Sequence, residues 1–158
     1  MYESFIPPNQ VMQLHIIAQY IKDFSFENPH APTSLRLETL QPSIKVNIDV
    51  EASKVYNNEE TFEVILKIRA TAKTSKNSLF LADLSYAGLF KLQKIDKRYT
   101  KTILLIECPR LLFPFAREIL ASTTSNGGFP PLVIQPIDFA TIYRQKKAQA
   151  IDISIPSP

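Results

Sequence analysis

Apolar and polar residues alternate along the first part of the chain, up to about residue 90. The pattern is clearest over residues 62–73, where every second side chain is apolar and Ile65 is the only apolar residue at the intervening positions. A period of two predicts a strand with one face buried and one face in water. The same pattern predicts strands over residues 11–27 and 44–51. Residues 79–90 are apolar at both parities, which predicts a fourth strand covered on both faces.

The period changes after Asp96 to that of a helix, with interruptions predicted at Pro109 and Pro114. Gly127 and Gly128, which follow Asn126, predict the end of this helix. We expect a final helix over residues 137–147. Because the connections between strands are short, we expect an antiparallel sheet. The predicted fold class is α+β, a four-stranded antiparallel sheet with helices packed on one face.

Length and composition favour one domain. The chain has 158 residues, and hydrophobic residues make up 45% of it, which is typical of a globular protein rather than a disordered one. We expect a single domain over residues 1–147 and a flexible C-terminal tail over 148–158, where no period is visible. The first eight residues do not resemble a signal peptide, and no apolar run is long enough to span a membrane, so we expect a cytoplasmic protein.

The inventory of reactive residues is poor. Cys108 is the single cysteine, and neither His15 nor His30 lies at a short spacing from it. This pattern predicts a buried structural cysteine rather than a nucleophile or a zinc ligand. With three glycines in all, there is no phosphate-binding loop. We therefore expect no enzyme, no cofactor and no metal.

Two groups of basic residues raise the net charge to +3, one over residues 91–101 and one over residues 144–147. A solvated polar face is the first interpretation of both groups. A nucleic-acid-binding sheet that uses Lys91 to Lys101 is the less favoured alternative.

Acidic residues recur at strand positions that share a face. Asp23 and Glu27 lie on one face of the first strand, and Leu81 and Asp83 share a face of the fourth. If the two strands are neighbours, these residues form a small negative patch with an apolar centre. An ordinary solvated sheet surface is the alternative.

Several segments of the chain resemble the SecB family of protein-export chaperones. They are Asp23-Phe-Ser-Phe-Glu27-Asn-Pro29, Phe80-Leu81-Ala-Asp83, the run from Cys108 to Glu118, Gly128-Phe-Pro-Pro-Leu132 and Pro136-Ile-Asp-Phe139. The match extends over roughly residues 11 to 147, with these segments in the family's order.

The resemblance implies a cytosolic holding chaperone that works without nucleotide and assembles as a dimer of dimers, a homotetramer. Its clients would be unfolded preproteins held in apolar grooves, with no nucleic acid and no direct membrane insertion. The candidate groove residues are Leu40, Phe113, Phe115, Phe129, Leu132, Phe139 and Tyr143. For each of these aromatic residues, ordinary core packing is the competing interpretation.

The resemblance also implies contacts with partner chains. Ala82, Leu84 and Tyr86 would lie at contacts between subunits. Asp23, Glu27, Leu81 and Asp83 match the positions at which the family receives the basic, zinc-carrying tail of the export ATPase SecA, so any zinc would belong to SecA.

The chain departs from the family in its basic balance and in Leu40, where a tryptophan is common. SecB-like proteins also serve as chaperones of antitoxins, and this role is kept as the second hypothesis.

Overall fold

The computed structural model describes residues 14–36, 41–57 and 60–154, and the side chains of these residues as far as 147. One four-stranded sheet contains all the strands. They are β1 (Leu14–Glu27), β2 (Ser43–Lys54), β3 (Thr61–Lys73) and β4 (Ser78–Leu92), and every neighbouring pair is antiparallel. The order across the sheet is β1-β4-β3-β2, so that the chain crosses from one edge to the other after β1.

Helical structure runs without a break from residue 97 to residue 126. It comprises α1 (Lys97–Thr102), a π-helical segment (Ile103–Glu107) and α2 (Cys108–Asn126). Pro109 lies in the first turn of α2, directly after the π-helical segment, and Pro114 lies inside the helix. The predicted separation into two pieces at the prolines is therefore wrong, and the irregularity precedes Pro109 as the π-helical segment.

The glycine pair ends α2 as predicted. Gly127 is the C-cap, and Gly128 adopts a φ of 91°, a left-handed conformation that suits glycine. An extended segment then leads to α3 (Phe139–Ser154), which starts two residues later and ends seven residues later than the predicted helix 137–147. The division into a domain over 1–147 and a flexible tail stays a prediction, although helix continues into the first part of that tail.

The core lies between the sheet and the helices. Even-numbered residues of β3 and β4 face the helices and are buried, among them Leu66, Ile68 and Phe90, each 0% exposed. Leu112 and Leu120 of α2 pack against this layer. A fold with helices on one face of the sheet is confirmed. The other face of β4 carries no helix of the described chain, and Leu81 and Leu89 are only half-buried there.

Strand β1 departs from its predicted alternation. Its register against β4 shifts between Ile16 and Ala18 and again between Ile21 and Asp23. Each irregularity moves the following side chains to the opposite face. Ala18 and Tyr20 therefore lie on the face away from the helices, and a strict period of two was the wrong prediction for this strand.

Candidate functional site

The four residues predicted as an acidic patch come together on the sheet face away from the helices. Glu27 lies directly opposite Leu81, and Ser25 lies opposite Asp83 in the same ladder. Asp23 and Asp83 are exposed, whereas Leu81 is half-buried. We call Asp23, Glu27, Leu81 and Asp83 the acidic face.

Cations border the acidic face on β3. Arg69 lies opposite Asp83, and Lys67 is salt-bridged to Glu51 of β2 at 2.7 Å. The hydrogen bond from Lys67 to Glu51 raises the pKa of the lysine, with smaller contributions from Asp49 and Asp83. The same side of the sheet is thus negative around Asp23, Glu27 and Asp83 and mixed in charge over β3 and β2.

A polar cluster ties β1 to β3 across this side of the sheet. Tyr20 donates a hydrogen bond to Oε2 of Glu63, and Lys22 is salt-bridged to Oε1 of Glu63 at 2.6 Å. Burial alone would raise the pKa of Glu63, but the hydrogen bonds from Lys22 and Tyr20 outweigh it and lower that pKa. Burial and the bond to Glu63 raise the pKa of Tyr20 to about 12. The cluster links the edge strand β1 to β3 near the register shifts of β1.

Three of the predicted groove residues lie in the core instead. Phe113, Leu132 and Phe139 are 7%, 9% and 1% exposed, and the rings of Phe113 and Phe139 meet edge to face at 6.1 Å. The competing interpretation, core packing, describes these three side chains in the folded chain, and α2 and α3 bury Phe113 and Phe139 against each other. Their place in a groove for clients stays a prediction.

The remaining predicted groove residues differ in their surroundings. Phe115 is 51% exposed and stacks on Tyr86 with ring centroids 6.3 Å apart. Phe129 is half-buried with its ring 5.1 Å from that of Phe80, and Tyr143 is half-buried on α3. Leu40 lies outside the described residues.

The predicted subunit contacts also fall in the interior. Ala82 and Leu84 are 0% exposed and Tyr86 is 8% exposed, because their face of β4 is the one that the helices cover. Side chains that α2 has already covered do not form a surface open to another chain. The exposed face of β4 at the same level carries Asp83, and a subunit contact through Ala82, Leu84 and Tyr86 stays a prediction.

An open groove lies where β2, α1, the π-helical segment and α3 meet. It has a volume of about 610 Å³, and Tyr143 is the one residue lining it among the predicted groove residues that the structure describes. Its floor is formed by Phe62, Leu104 and Leu105, and four lysines stand along it: Lys54, Lys101, Lys146 and Lys147. We call this cavity the lysine-rimmed groove. The sequence analysis missed its floor, although both of its basic groups contribute to the rim.

Cys108 is buried, as predicted for a structural cysteine. Burial raises the pKa of its thiol, with a smaller contribution from Glu107. Since the thiolate is the reactive form, this environment disfavours nucleophilic chemistry. None of the helices in the described part of the chain is long and apolar enough to cross a membrane.

An α+β fold with an exposed acidic face and an open apolar groove has the surfaces of a protein that binds other polypeptides. Comparison with known proteins identifies the family within this class of binding proteins. Residues 8–150 match the family model described as preprotein translocase subunit SecB, and the chain belongs to that family of chaperones.

Curated relatives match the sequence of this chain over most of their own lengths. The protein-export protein SecB of Maricaulis maris is 49% identical over 140 residues, 89% of this chain and 80% of the relative. The protein of the same name from Rhodopseudomonas palustris strain HaA2 is 46% identical over 155 residues, 98% of this chain and 94% of the relative.

Among solved structures, a SecB-like chaperone of Mycobacterium tuberculosis in complex with a peptide from the HigA1 antitoxin has a TM-score of 0.68 at 14% identity. The match covers 82% of this chain and 94% of that one. At this identity the likeness concerns the fold alone.

Proposed function

We propose that this chain is an ATP-independent holding chaperone that binds unfolded preproteins in the cytoplasm and delivers them to the export ATPase SecA. The observation that carries the proposal is its identity of nearly half to protein-export proteins over almost the whole chain. The chain offers one surface for each of the two contacts.

Clients would be held by apolar contact. The lysine-rimmed groove offers Phe62, Leu104, Leu105 and Tyr143, and Phe115 stands exposed on α2. Burial of apolar surface contributes roughly 25 cal/mol per Å² and requires no sequence motif. Several weak sites in one assembly would add avidity. Binding would then be promiscuous and would need no nucleotide.

SecA would dock on the acidic face. Its predicted contacts, Asp23, Glu27, Leu81 and Asp83, share one solvent-exposed side of β1 and β4, away from the groove. A basic partner segment is attracted to such a patch, and the half-buried Leu81 supplies an apolar centre. Because the two surfaces are separate, a client and SecA could be bound together.

Assembly as a dimer of dimers is part of the proposal. The edge strand β1 supports it, since Ile16, Ile17 and Ile21 are 43%, 53% and 51% exposed there. Exposed apolar side chains on an edge strand favour pairing with another chain. With Ala82, Leu84 and Tyr86 in the core, the β1 edge is the better candidate for a contact between subunits.

Light scattering of the purified chain tests this function, first alone and then with a chemically unfolded preprotein diluted into refolding buffer without nucleotide. The expected mass is that of four chains, rising by one client. A monomer that ignores the client would contradict the proposal. SecA is then titrated into the client complex, and failure to bind it would remove the delivery step.

The role of antitoxin chaperone has weaker support. The structure with an antitoxin peptide shares 14% of its residues with this chain, against 49% for an export protein. Export is therefore the function that we propose.

A further inference from the structure

The lysine-rimmed groove combines an apolar floor with a positive border. Phe62 and Leu104, 7% and 5% exposed, form part of the floor, and the half-buried Leu105 lies beside them. The lysines stand on three different elements: Lys54 ends β2, Lys101 is on α1, and Lys146 and Lys147 are on α3. The border is thus a product of the tertiary fold.

Among the described residues, one of the four lysines forms a salt bridge. Lys146 is salt-bridged to Asp49 at 2.9 Å and donates to the carbonyl oxygen of Val50 at 3.0 Å. Among the residues that the structure describes, Lys54, Lys101 and Lys147 form no salt bridge. Three exposed ammonium groups thus border one apolar surface.

The positive border continues beyond the groove. A second cavity of about 500 Å³ shares Lys54, Phe62, Thr100 and Lys101 with it. This cavity adds Lys94 and Lys97, together with one acid, Glu60. We call the two joined cavities the track, and among the described residues that line it cations outnumber anions.

We propose that this track selects extended client segments in which apolar residues alternate with aspartate or glutamate. The inference rests on the proposed holding function and names its preferred substrate class. Successive side chains of an extended peptide point in opposite directions. Apolar side chains can therefore enter the groove while the acidic ones remain at the lysine border. Exposed ion pairs are individually weak, so the apolar contacts supply the affinity and the lysines supply the preference.

The two surfaces of the chain then carry opposite charge. The acidic face attracts basic segments and the track attracts acidic ones, which keeps a client from competing with a basic partner for one site. A basic client segment can still make the apolar contacts, but it binds the track more weakly because the lysines repel its charges.

Three fluorescent peptides of equal length and identical apolar residues test the proposal, with Glu, Gln or Lys at every intervening position. Binding to the full chain is followed by anisotropy in low salt and in high salt. We expect the Glu peptide to bind about tenfold more tightly than the Lys peptide in low salt, a ratio that a few exposed ion pairs can supply. High salt should bring the two affinities together, because it screens exposed charges.

Equal affinities in low salt would overturn the charge preference while leaving the holding function intact. That function has its own readout, the capture of unfolded preprotein by light scattering. If the chain captures preprotein but binds none of the three peptides, the track is not a client site and the proposal is wrong. Failure to capture preprotein would instead overturn the holding function itself.

Two pairs of Lys→Gln substitutions test whether the preference for the Glu peptide arises at the track. Lys54→Gln with Lys101→Gln should weaken binding of the Glu peptide to the level of the Gln peptide and leave the Gln peptide unchanged. Lys45→Gln with Lys73→Gln, a matched pair on the other side of the sheet, should change neither affinity. If the control pair has the same effect as the first pair, the preference comes from overall charge and the proposal fails.

Leu105→Ser should weaken binding of all three peptides alike. If it changes the mass of the assembly and leaves the peptide affinities unchanged, a second copy of the chain covers the groove, and the proposal is overturned.

Discussion

The hydroxyl of Thr124 accepts a hydrogen bond from the backbone N–H of Leu132 at 2.8 Å. The same hydroxyl donates to the carbonyl oxygen of Leu120, one turn earlier in α2, also at 2.8 Å. Thr124 is 0% exposed, so this single side chain attaches the extended segment after α2 to the helix within the core. The segment in turn positions α3 and one wall of the lysine-rimmed groove.

Replacing Thr124 with Val should destabilise the fold. The shape is kept, but the buried N–H of Leu132 loses its acceptor, and an unpaired buried donor costs about 1–3 kcal/mol. Urea unfolding at a fixed chain concentration measures the loss, because assembly also contributes to stability. Thr124→Ser retains the hydroxyl and should lose less. Equal losses for the two variants would show that the methyl group matters and the hydrogen bond does not.

Gly88 lies beneath α2, and a side chain there should be costly. A Cβ at this position would stand 2.5 Å from Cε2 of Phe90 and 2.9 Å from Cδ2 of Leu112, both of which belong to fully buried residues. Forcing extra volume into a packed core costs about 1–3 kcal/mol. We expect Gly88→Ala to lower the free energy of unfolding by this amount, while Ser85→Ala, on the open face of β4, changes it little. Wild-type stability of Gly88→Ala would show that α2 can move away from the sheet.

The cluster of Tyr20 and Glu63 predicts a loss of stability in alkali. Folding raises the pKa of Tyr20 from its ordinary value of 10 to about 12, so the folded state favours the neutral phenol. The resulting stabilisation is complete below pH 10 and is lost as the pH rises from 10 through about 12. Unfolding curves at pH 8, 10 and 11.5 should show this loss for the wild type. Tyr20→Phe should lack this part of the decline, and an identical pH profile would contradict the assignment.

The acidic face can be tested by charge reversal. Asp23→Arg with Asp83→Arg should abolish binding of SecA, because the patch is exposed and its partner segment is expected to be basic. Titration by calorimetry measures the binding, and light scattering checks assembly and client capture, which should both persist. Glu118→Arg, a reversal at an exposed position of α2, is the control. Loss of assembly in the double variant would mean that these acids are structural.

The strands were predictable because a strand with one buried face repeats its chemistry every second residue. Over residues 62–73 that local pattern identified β3 to within one residue of its observed start at Thr61. The end of α2 was predictable for a similar reason, since a glycine pair can adopt the backbone conformation that closes a helix. The acidic face followed from the same periodicity once β1 and β4 were assumed to be neighbours.

The bulges of β1 were not predictable from the pattern. Tyr20 reaches the open side of the sheet because the register shifts on both sides of it, and its partner Glu63 lies on a strand that follows much later in the chain. Groove residues could not be told from core residues for a related reason. An apolar side chain such as Phe139 is compatible both with a core and with a binding surface, and only its neighbours decide between them.

Local periodicity and turn chemistry thus established four strands, the helical section and the faces of β3, and the residues themselves carried the likeness to the SecB family. The position of β1 beside β4, the burial of Ala82 and Leu84 by α2, and the meeting of Lys54, Lys101 and Lys147 around one groove emerged with the packed chain. These features depend on contacts between residues far apart in the sequence. Such contacts leave no period along the chain, because they follow from how its elements pack together.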